Sequence, residues 1–357
     1  MNKIKVLIVD DSALVRKVLK DILSGDAELE VVGTASDAWS AMQRIKELQP
    51  DVVTLDIVMP GMDGLDFLER LMKSNPLPVV MCSTLTRQES EQTFRALSLG
   101  AVDVIAKPTL DVREKLDEMA EQIIDRVKAA GQARIRSQPQ RFLDGPKPDA
   151  LPLSRLLPRS GREVEEPIIA IGASTGGTDA LQEVLAPLPE NSPAILVVQH
   201  MLAHFTAPFA QRLDRVCRMH VKEAVPGDRV QAGTVLVALG GRHMEIVREG
   251  DHYVVQMQDG PLVHRVRPSV DVLFHSMASQ VGKRGIGVIL TGMGADGAEG
   301  LLAMKRAGAR TLAQDEASCV VFGMPKMAIK AGGVDQVLPL SEMPRRLLAM
   351  FDEGHGA

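Results

Sequence analysis

The loop Gly172-Ala173-Ser174-Thr175-Gly176-Gly177 follows the apolar run Pro167–Ile171 and sets a serine at the tip of a glycine-lined turn. A β-rich run that ends this way reads as strand, sharp turn and helix N-terminus. The geometry lifts a hydroxyl clear of its neighbours and leaves backbone N–H groups facing any negative charge that develops beside it. Dinucleotide sites, nucleotide-phosphate sites and acyl-transfer enzymes all use such turns. A dinucleotide fingerprint needs glycine where Ser174 stands and an acid at the end of the next strand, where this chain has Gln199-His200. A phosphate-binding loop needs Gly-Lys-Ser/Thr, and no lysine is in the turn. Acyl chemistry remains, and Gly172-x-Ser174-x-Gly176 matches the nucleophile elbow. Alone that pattern is weak, but the partners it calls for are present. His200 closes the next strand, and Asp296 lies in the glycine-rich run Leu290–Gly297 after a later one. Three strand ends on one sheet edge bring nucleophile, base and orienting acid to a single crevice. The order serine, histidine, aspartate differs from that of α/β-hydrolases, so this is a triad on another sheet.

A second constellation precedes it. Asp10 and Asp11 end a first strand, Asp56 a third, Ser83 a fourth, and Lys107 follows a fifth. Crowded carboxylates repel one another and recruit a hard cation such as Mg²⁺. A lysine and a hydroxyl beside them suit an anion, so the set fits an aspartate that accepts a phosphoryl group. Any one position could be an ordinary soluble loop residue; the joint placement at strand ends argues for function.

The elements that position these residues alternate regularly. Strands are expected at Ile4–Val9, Leu29–Ala35, Val52–Leu55, Pro78–Cys82 and Val102–Ile105, with helices between and a last helix over Val112–Val127. That pattern gives a parallel sheet with right-handed crossovers. Alternation resumes with strands at Ile168–Ile171, Ala194–Val198, Gly287–Leu290 and Arg310–Ala313, helices among them, and a turn-rich stretch holding strands at Val235–Leu239 and Tyr253–Met257. Both halves read as α/β: a flavodoxin-like (βα)5 domain over 1–125 and a Rossmann-like doubly wound domain over 167–357. Residues 126–166 carry nine Lys and Arg against five Asp and Glu and hold Pro139, Pro146, Pro148, Pro152 and Pro158, so they read as a basic linker. Residues 1–125 are acidic, with 14 Lys and Arg against 22 Asp and Glu. Aromatics make up only 3%, which argues against a base-stacking platform for nucleic acid. No apolar run reaches the ~20 residues of a membrane span. Cys82, Cys217 and Cys319 are dispersed, as a reducing cytoplasm permits.

Residues 1–125 resemble a response-regulator receiver domain through Asp10-Asp11-Ser12, Leu55-Asp56 with Met59-Pro60-Gly61-Met62-Asp63-Gly64, and Ala106-Lys107-Pro108. The resemblance implies that a histidine kinase phosphorylates Asp56, that Asp10 and Asp11 hold Mg²⁺ with it, and that Ser83 and Lys107 sense the phosphoryl group. It also implies a cis Lys107–Pro108 peptide. The family's aromatic switch position is Val104 here, so an inward-swinging aromatic is not available.

Residues 167–350 resemble the catalytic domain of the chemotaxis protein-glutamate methylesterases, the CheB family. The matching motifs are Gly172–Gly177, Val198-Gln-His-Met201, Gly240-Gly-Arg-His-Met244, Arg267–Phe274, Leu290–Gly297, Ala313–Glu316 and Phe322–Pro325. The resemblance implies hydrolysis of glutamyl methyl esters, and deamidation of certain glutamines, on the cytoplasmic helices of methyl-accepting chemoreceptors. It gives Ser174, His200 and Asp296 the catalytic roles and needs no cofactor at the esterase site. Backbone groups near Thr175 and Met293 are candidate oxyanion donors, and Gly240–Met244 and Arg267–Asp271 shape the cleft. His243 and Asp271 fit loop hydrogen bonding and capping at least as well as catalysis. The architecture implies a receiver that covers the crevice until phosphorylated, so removal of residues 1–150 raises the basal rate. Two other readings stay open: a methylesterase serving a receptor array outside chemotaxis, and a binding-only signalling adaptor.

Overall fold

The computed structural model describes residues 3–84, 87–108, 113–134, 151 and 166–354. The chain divides into two compact units, Met1–Phe142 and Leu143–Ala357. Most of the expected linker lies outside the described residues.

In the first unit, β1 (Ile4–Val9), β2 (Leu29–Ala35), β3 (Val52–Asp56), β4 (Val79–Ser83) and β5 (Asp103–Ala106) alternate with α1 (Ala13–Ser24), α2 (Ala38–Leu48), α3 (Gly64–Ser74), α4 (Arg87–Ser98) and α5 (Arg113–Gly131). The sheet order is β2-β1-β3-β4-β5, and every pairing is parallel. β3 and β4 are buried along their whole length, as strands covered by helices on both faces must be. Ser12, Asp37 and Asp63 cap α1, α2 and α3 with side-chain oxygens on backbone N–H groups, which fixes where each crossover turns. α5 runs six residues past the expected domain end at 125, because Val127 and Ala130 continue its buried face.

The second unit contains β6 (Ile168–Ala173), α6 (Gly177–Leu185), β7 (Ala194–Gln199), α7 (Ala203–Val216), β8 (His220–Glu223), β9 (Thr234–Val237), β10 (His243–Glu249), β11 (His252–Gln258), α8 (Val270–Gln280), β12 (Gly285–Ile289), α9 (Ala298–Arg306), β13 (Arg310–Gln314), α10 (Met324–Lys330), β14 (Gln336–Leu338) and α11 (Met343–Gly354). Seven of these strands form a parallel sheet in the order β14-β13-β12-β6-β7-β9-β8. The chain leaves β6 toward β7 and later returns to β12 on β6's other side. β6 is therefore the point where strand order reverses, and its carboxyl end opens a crevice. The antiparallel hairpin β10–β11 stands outside this sheet and docks on α8, where Ser276 Oγ accepts the Ile246 N–H and Tyr253 donates to the Gln280 carbonyl. Fully buried Tyr253, Phe274, Leu273 and Met277 weld the hairpin and helix into the main core. Among the described residues no helix is long and apolar enough to cross a membrane.

Candidate functional site

In the first unit the expected residues converge at the carboxyl ends of β1, β3, β4 and β5. Ligand atoms of Asp10, Asp11 and Asp56 lie within 4.8 Å of one another. Lys107 Nζ forms ion pairs with Asp56 Oδ2 at 2.7 Å and with Asp10 Oδ2 at 3.3 Å. Three carboxylates converging beside one lysine are an all-oxygen donor set that suits a hard divalent cation. Asp10 Oδ1 accepts the Ser12 N–H and Asp56 Oδ1 the Val58 N–H, which fixes both carboxylates. Arg16, which no motif singled out, donates from its guanidinium to the carbonyls of Asp10 and Asp11 and ties the acidic loop to α1. Ser83 Oγ is buried, donates to the Thr84 carbonyl and is approached at 3.4 Å by the Thr93 hydroxyl of α4. Val104 is buried in β5. The cis peptide among the described residues is Arg267–Pro268, not the Lys107–Pro108 bond expected.

Burial pushes the Asp56 carboxyl up to about 6, with Asp10 adding to the rise and Lys107 opposing it. Burial alone would lower Lys107, but the carboxylates of Asp56 and Asp10 outweigh it and hold the ammonium above its ordinary range. The folded form therefore holds the Asp56 proton more tightly than the unfolded chain, whose carboxyl titrates near ~4. This contribution favours folding fully below ~4 and is lost as pH rises through about 6. In metal-free full-length protein, Asp56→Asn should stabilise the first unit more at pH 7 than at pH 5. Thermal unfolding of both proteins across that window checks it, and a pH-independent difference would contradict it.

In the second unit the register does the positioning. Ala173 pairs with Gln199 and Gly172 with Ile289, so Ser174 lies level with His200 on one side and Thr291 on the other. Adjacent strands are ~4.8 Å apart, so the two residues are cross-strand neighbours. Backbone bonds lock this in place, His200 N to Ala173 O at 3.1 Å and Ser174 N to Thr291 O at 3.0 Å. Gly176 adopts φ +76°, the left-handed turn that starts α6, and a side chain there would strike Val320. Gly292 lets the neighbouring loop approach the serine, since a Cβ on it would fall 2.7 Å from Ser174 Cβ.

His200 Nε2 lies 2.8 Å from Asp296 Oδ2. Asp296 is sunk in the N-terminus of α8: Oδ2 also accepts the Val270 N–H at 2.7 Å, and Oδ1 accepts the Ser269 hydroxyl at 2.6 Å and the Asp271 N–H at 3.1 Å. Burial alone would raise this carboxyl, but the His200 bond and the donors of Ser269 and Val270 more than offset it and hold it below its usual range. An ionised carboxylate only accepts, so His200 carries its proton on Nε2, and Nδ1 is the nitrogen with the basic lone pair. The Ser174 hydroxyl makes no hydrogen bond among the described residues. The histidine–aspartate contact is closed in this structure and the serine–histidine contact open, a common state of sites without substrate.

The family model for CheB methylesterase matches residues 169–347, and that for the response regulator receiver domain matches residues 6–121. A protein-glutamate methylesterase/protein-glutamine glutaminase of Bordetella pertussis is 55% identical over 357 residues, covering 99% of both chains. This chain belongs to the CheB methylesterase family. One from Geobacter metallireducens is 52% identical over 98% of this chain and 96% of its own. The crystal structure of the Thermotoga maritima CheB methylesterase catalytic domain is 39% identical, with TM-score 0.51, and covers 52% of this chain and 98% of that one.

Within this CheB family member, several residues that the sequence reading missed hold the nucleophile loop. Gln199 Nε2 donates to the Ser174 carbonyl at 2.9 Å, and Gly177 N donates to the same oxygen at 2.7 Å. The Thr291 hydroxyl lies 3.0 Å from the Thr175 carbonyl, and Gln314 Oε1 accepts the Thr291 N–H. A trans peptide points its N–H opposite its C=O, so fixing the Ser174 carbonyl fixes the direction of the Thr175 N–H. The Gly292 N–H is committed to Val321 O, whereas the Met293 N–H has no partner among the described residues. His243 is buried, its Nδ1 accepting the Ser269 N–H. Asp271 Oδ1 accepts the Gly300 N–H, and its Oδ2 pairs with His264 Nε2 at 2.9 Å.

Proposed function

We propose that the protein is a phosphorylation-activated hydrolase that demethylates glutamyl methyl esters, and deamidates particular glutamines, on the cytoplasmic helices of methyl-accepting chemoreceptors. The observation that carries this reading is the Asp296–His200 pair at the strand-order reversal, level with the serine of a nucleophile elbow on the adjacent strand. Ser174 Oγ attacks the ester carbonyl while His200 Nδ1 takes its proton. Asp296 holds the ring in the Nε2–H form and stabilises the imidazolium. The N–H groups of Thr175 and Met293 face the oxyanion. Return of the proton from His200 releases methanol, or ammonia from an amide. Water then attacks the acyl-enzyme by the same path, returning glutamate and free serine. No cofactor is needed for these steps.

In the receiver, Asp56 accepts the phosphoryl group from a histidine kinase. Asp10, Asp11 and Asp56 would hold Mg²⁺, which would supply positive charge to the phosphoryl oxygens, while Lys107 and Ser83 engage the phosphorylated aspartate. The reading places the protein in the cytoplasm, without nucleic-acid binding or direct membrane insertion. A receptor array outside chemotaxis would use the same chemistry, and the receptor that yields methanol distinguishes the two.

The test is methanol release from methylated chemoreceptor by the full-length chain, with and without a small-molecule phosphodonor and Mg²⁺. The rate should rise at least tenfold (an estimate set by ~1.4 kcal/mol of coupling), and Asp56→Asn should abolish that rise while leaving basal hydrolysis. Equal activation of Asp56→Asn would refute phosphorylation control at this residue.

A further inference from the structure

His243 begins β10 and is almost fully buried, at 3% exposure. Its two ring nitrogens meet partners whose roles cannot be exchanged. Nδ1 lies 3.1 Å from the Ser269 backbone N–H, which only donates, and Nε2 lies 2.8 Å from the Pro261 carbonyl, which only accepts. The ring is therefore neutral and protonated on Nε2, since a second proton on Nδ1 would point at the Ser269 N–H. Ser269 is the N-cap of α8; its hydroxyl accepts the Val272 N–H and donates to Asp296 Oδ1 at 2.6 Å. The next two N–H groups of that helix also bind Asp296. A continuous path thus runs from His243 through the Ser269 backbone to the cap hydroxyl, Asp296 and His200 Nε2.

We propose that His243 is a positioning residue for the hydrolysis. In its neutral form it anchors Ser269, so that the cap hydroxyl and the first turn of α8 hold Asp296 against His200. The proposal rests on the triad reading above. Both hydrogen bonds of His243 go to backbone groups, the Ser269 N–H and the Pro261 carbonyl, so its loss should act on the turnover step and spare substrate binding. A small displacement of a catalytic group costs about 10²-fold in rate.

The experiment compares His243→Leu, His243→Asn and Ser269→Ala in the full-length chain. It reads kcat and KM for methanol release, thermal unfolding, and the downfield proton resonance of His200 Nε2. Asparagine Oδ1 stands where Nδ1 stood and can accept the Ser269 N–H, whereas leucine cannot. His243→Leu should lower kcat about 10²-fold with KM within about twofold and should shift or broaden the Nε2 resonance. His243→Asn should restore most of kcat, and Ser269→Ala should show the same signature as leucine. If His243→Leu does not fold, His243→Gln replaces it, since its longer amide reaches Pro261 but not the Ser269 N–H. The proposal is overturned if a folded leucine or glutamine variant turns over at the wild-type rate. It is equally overturned if asparagine rescues nothing, or if the resonance stays unmoved while kcat falls. Ser174→Ala is the control for the underlying reading. Were hydrolysis to survive that change, the triad would be wrong, and the resonance would still report whether His243 orders the Asp296–His200 pair.

Discussion

Asp296→Asn should lower kcat for ester hydrolysis by about 10⁴-fold and leave KM within a few-fold. The carboxylate of Asp296 receives four hydrogen bonds, two on each oxygen. An amide offers one oxygen and one NH₂, so one pair of donors must face another donor. If the NH₂ turns toward His200, the imidazole is driven to the tautomer with its proton on Nδ1, and it can no longer take the serine proton. If the NH₂ turns toward Ser269 and Asp271, the tautomer survives, but the negative charge that stabilises the imidazolium is gone. Both outcomes strike the transition state rather than substrate binding. The fold should weaken as well, because an anion seated on a helix N-terminus is worth about 1–2 kcal/mol in a buried setting. Because folding depresses the Asp296 carboxyl below its unfolded value of ~3.9, its stabilisation is present above that pH and is lost as pH falls through the folded value. Urea unfolding should therefore separate wild type and variant at pH 7 and bring them together in strong acid. A variant with wild-type kcat, or one equally destabilised at both pH values, would contradict this account of the acid.

What was legible in the sequence and what was not follow from the range over which each feature is fixed. Most of the parallel strands were visible because they are short apolar, largely β-branched runs bounded by turn residues. The three strand ends that carry Ser174, His200 and Asp296 followed from the alternation of strands and helices. The hairpin strand β10 escaped because His243-Met-Glu-Ile-Val-Arg-Glu249 reads as a mixed stretch. It alternates only with respect to a partner, α8, that lies further along the chain. β8 and β14, of four and three residues, are too short to show a period and are held by their neighbours in the sheet.

The same distinction governs the site. Ser269 can be read as a helix cap from the sequence, but its bond to Asp296 spans 27 positions and depends on how α8 docks. Gln199 looked like the residue that spoils a dinucleotide site; its amide instead clamps the nucleophile's carbonyl from 25 positions away. His243 and Asp271 could not be assigned by type, since buried and catalytic histidines look alike in a sequence. Their partners decide: His243 serves Ser269, and Asp271 caps Gly300 and pairs with His264. The convergence of the candidate residues was therefore readable from their places at strand ends, and the scaffolding was not, because it is assembled from contacts between distant segments. In the receiver, Arg16 is the equivalent case. Its sequence position says only that a helix has a basic residue, while its guanidinium spans the carbonyls of the acidic pair.

Ser174→Ala should abolish hydrolysis, by about 10⁴–10⁶-fold in kcat, and leave the fold untouched. The structure makes the second half as firm as the first. The serine hydroxyl has no hydrogen bond among the described residues, while the backbone of residue 174 is held by Thr291 O, Gln199 Nε2 and Gly177 N, none of which needs the side chain. Removing one partly buried oxygen without a partner should change stability by less than about 0.5 kcal/mol. The alanine chain should still bind methylated receptor and should still accept a phosphoryl group at Asp56, because no step of either uses the hydroxyl. A binding-only adaptor predicts something different, namely that the alanine chain supports adaptation as well as wild type does. Two measurements decide between these readings. Methanol release from methylated receptor should fall to background in the variant, and its thermal unfolding should coincide with that of wild type. Retained hydrolysis in a folded Ser174→Ala chain would remove the nucleophile from its role. Its loss, with receptor binding intact, leaves Ser174 as the atom donor to the acyl-enzyme and the second unit as a hydrolase.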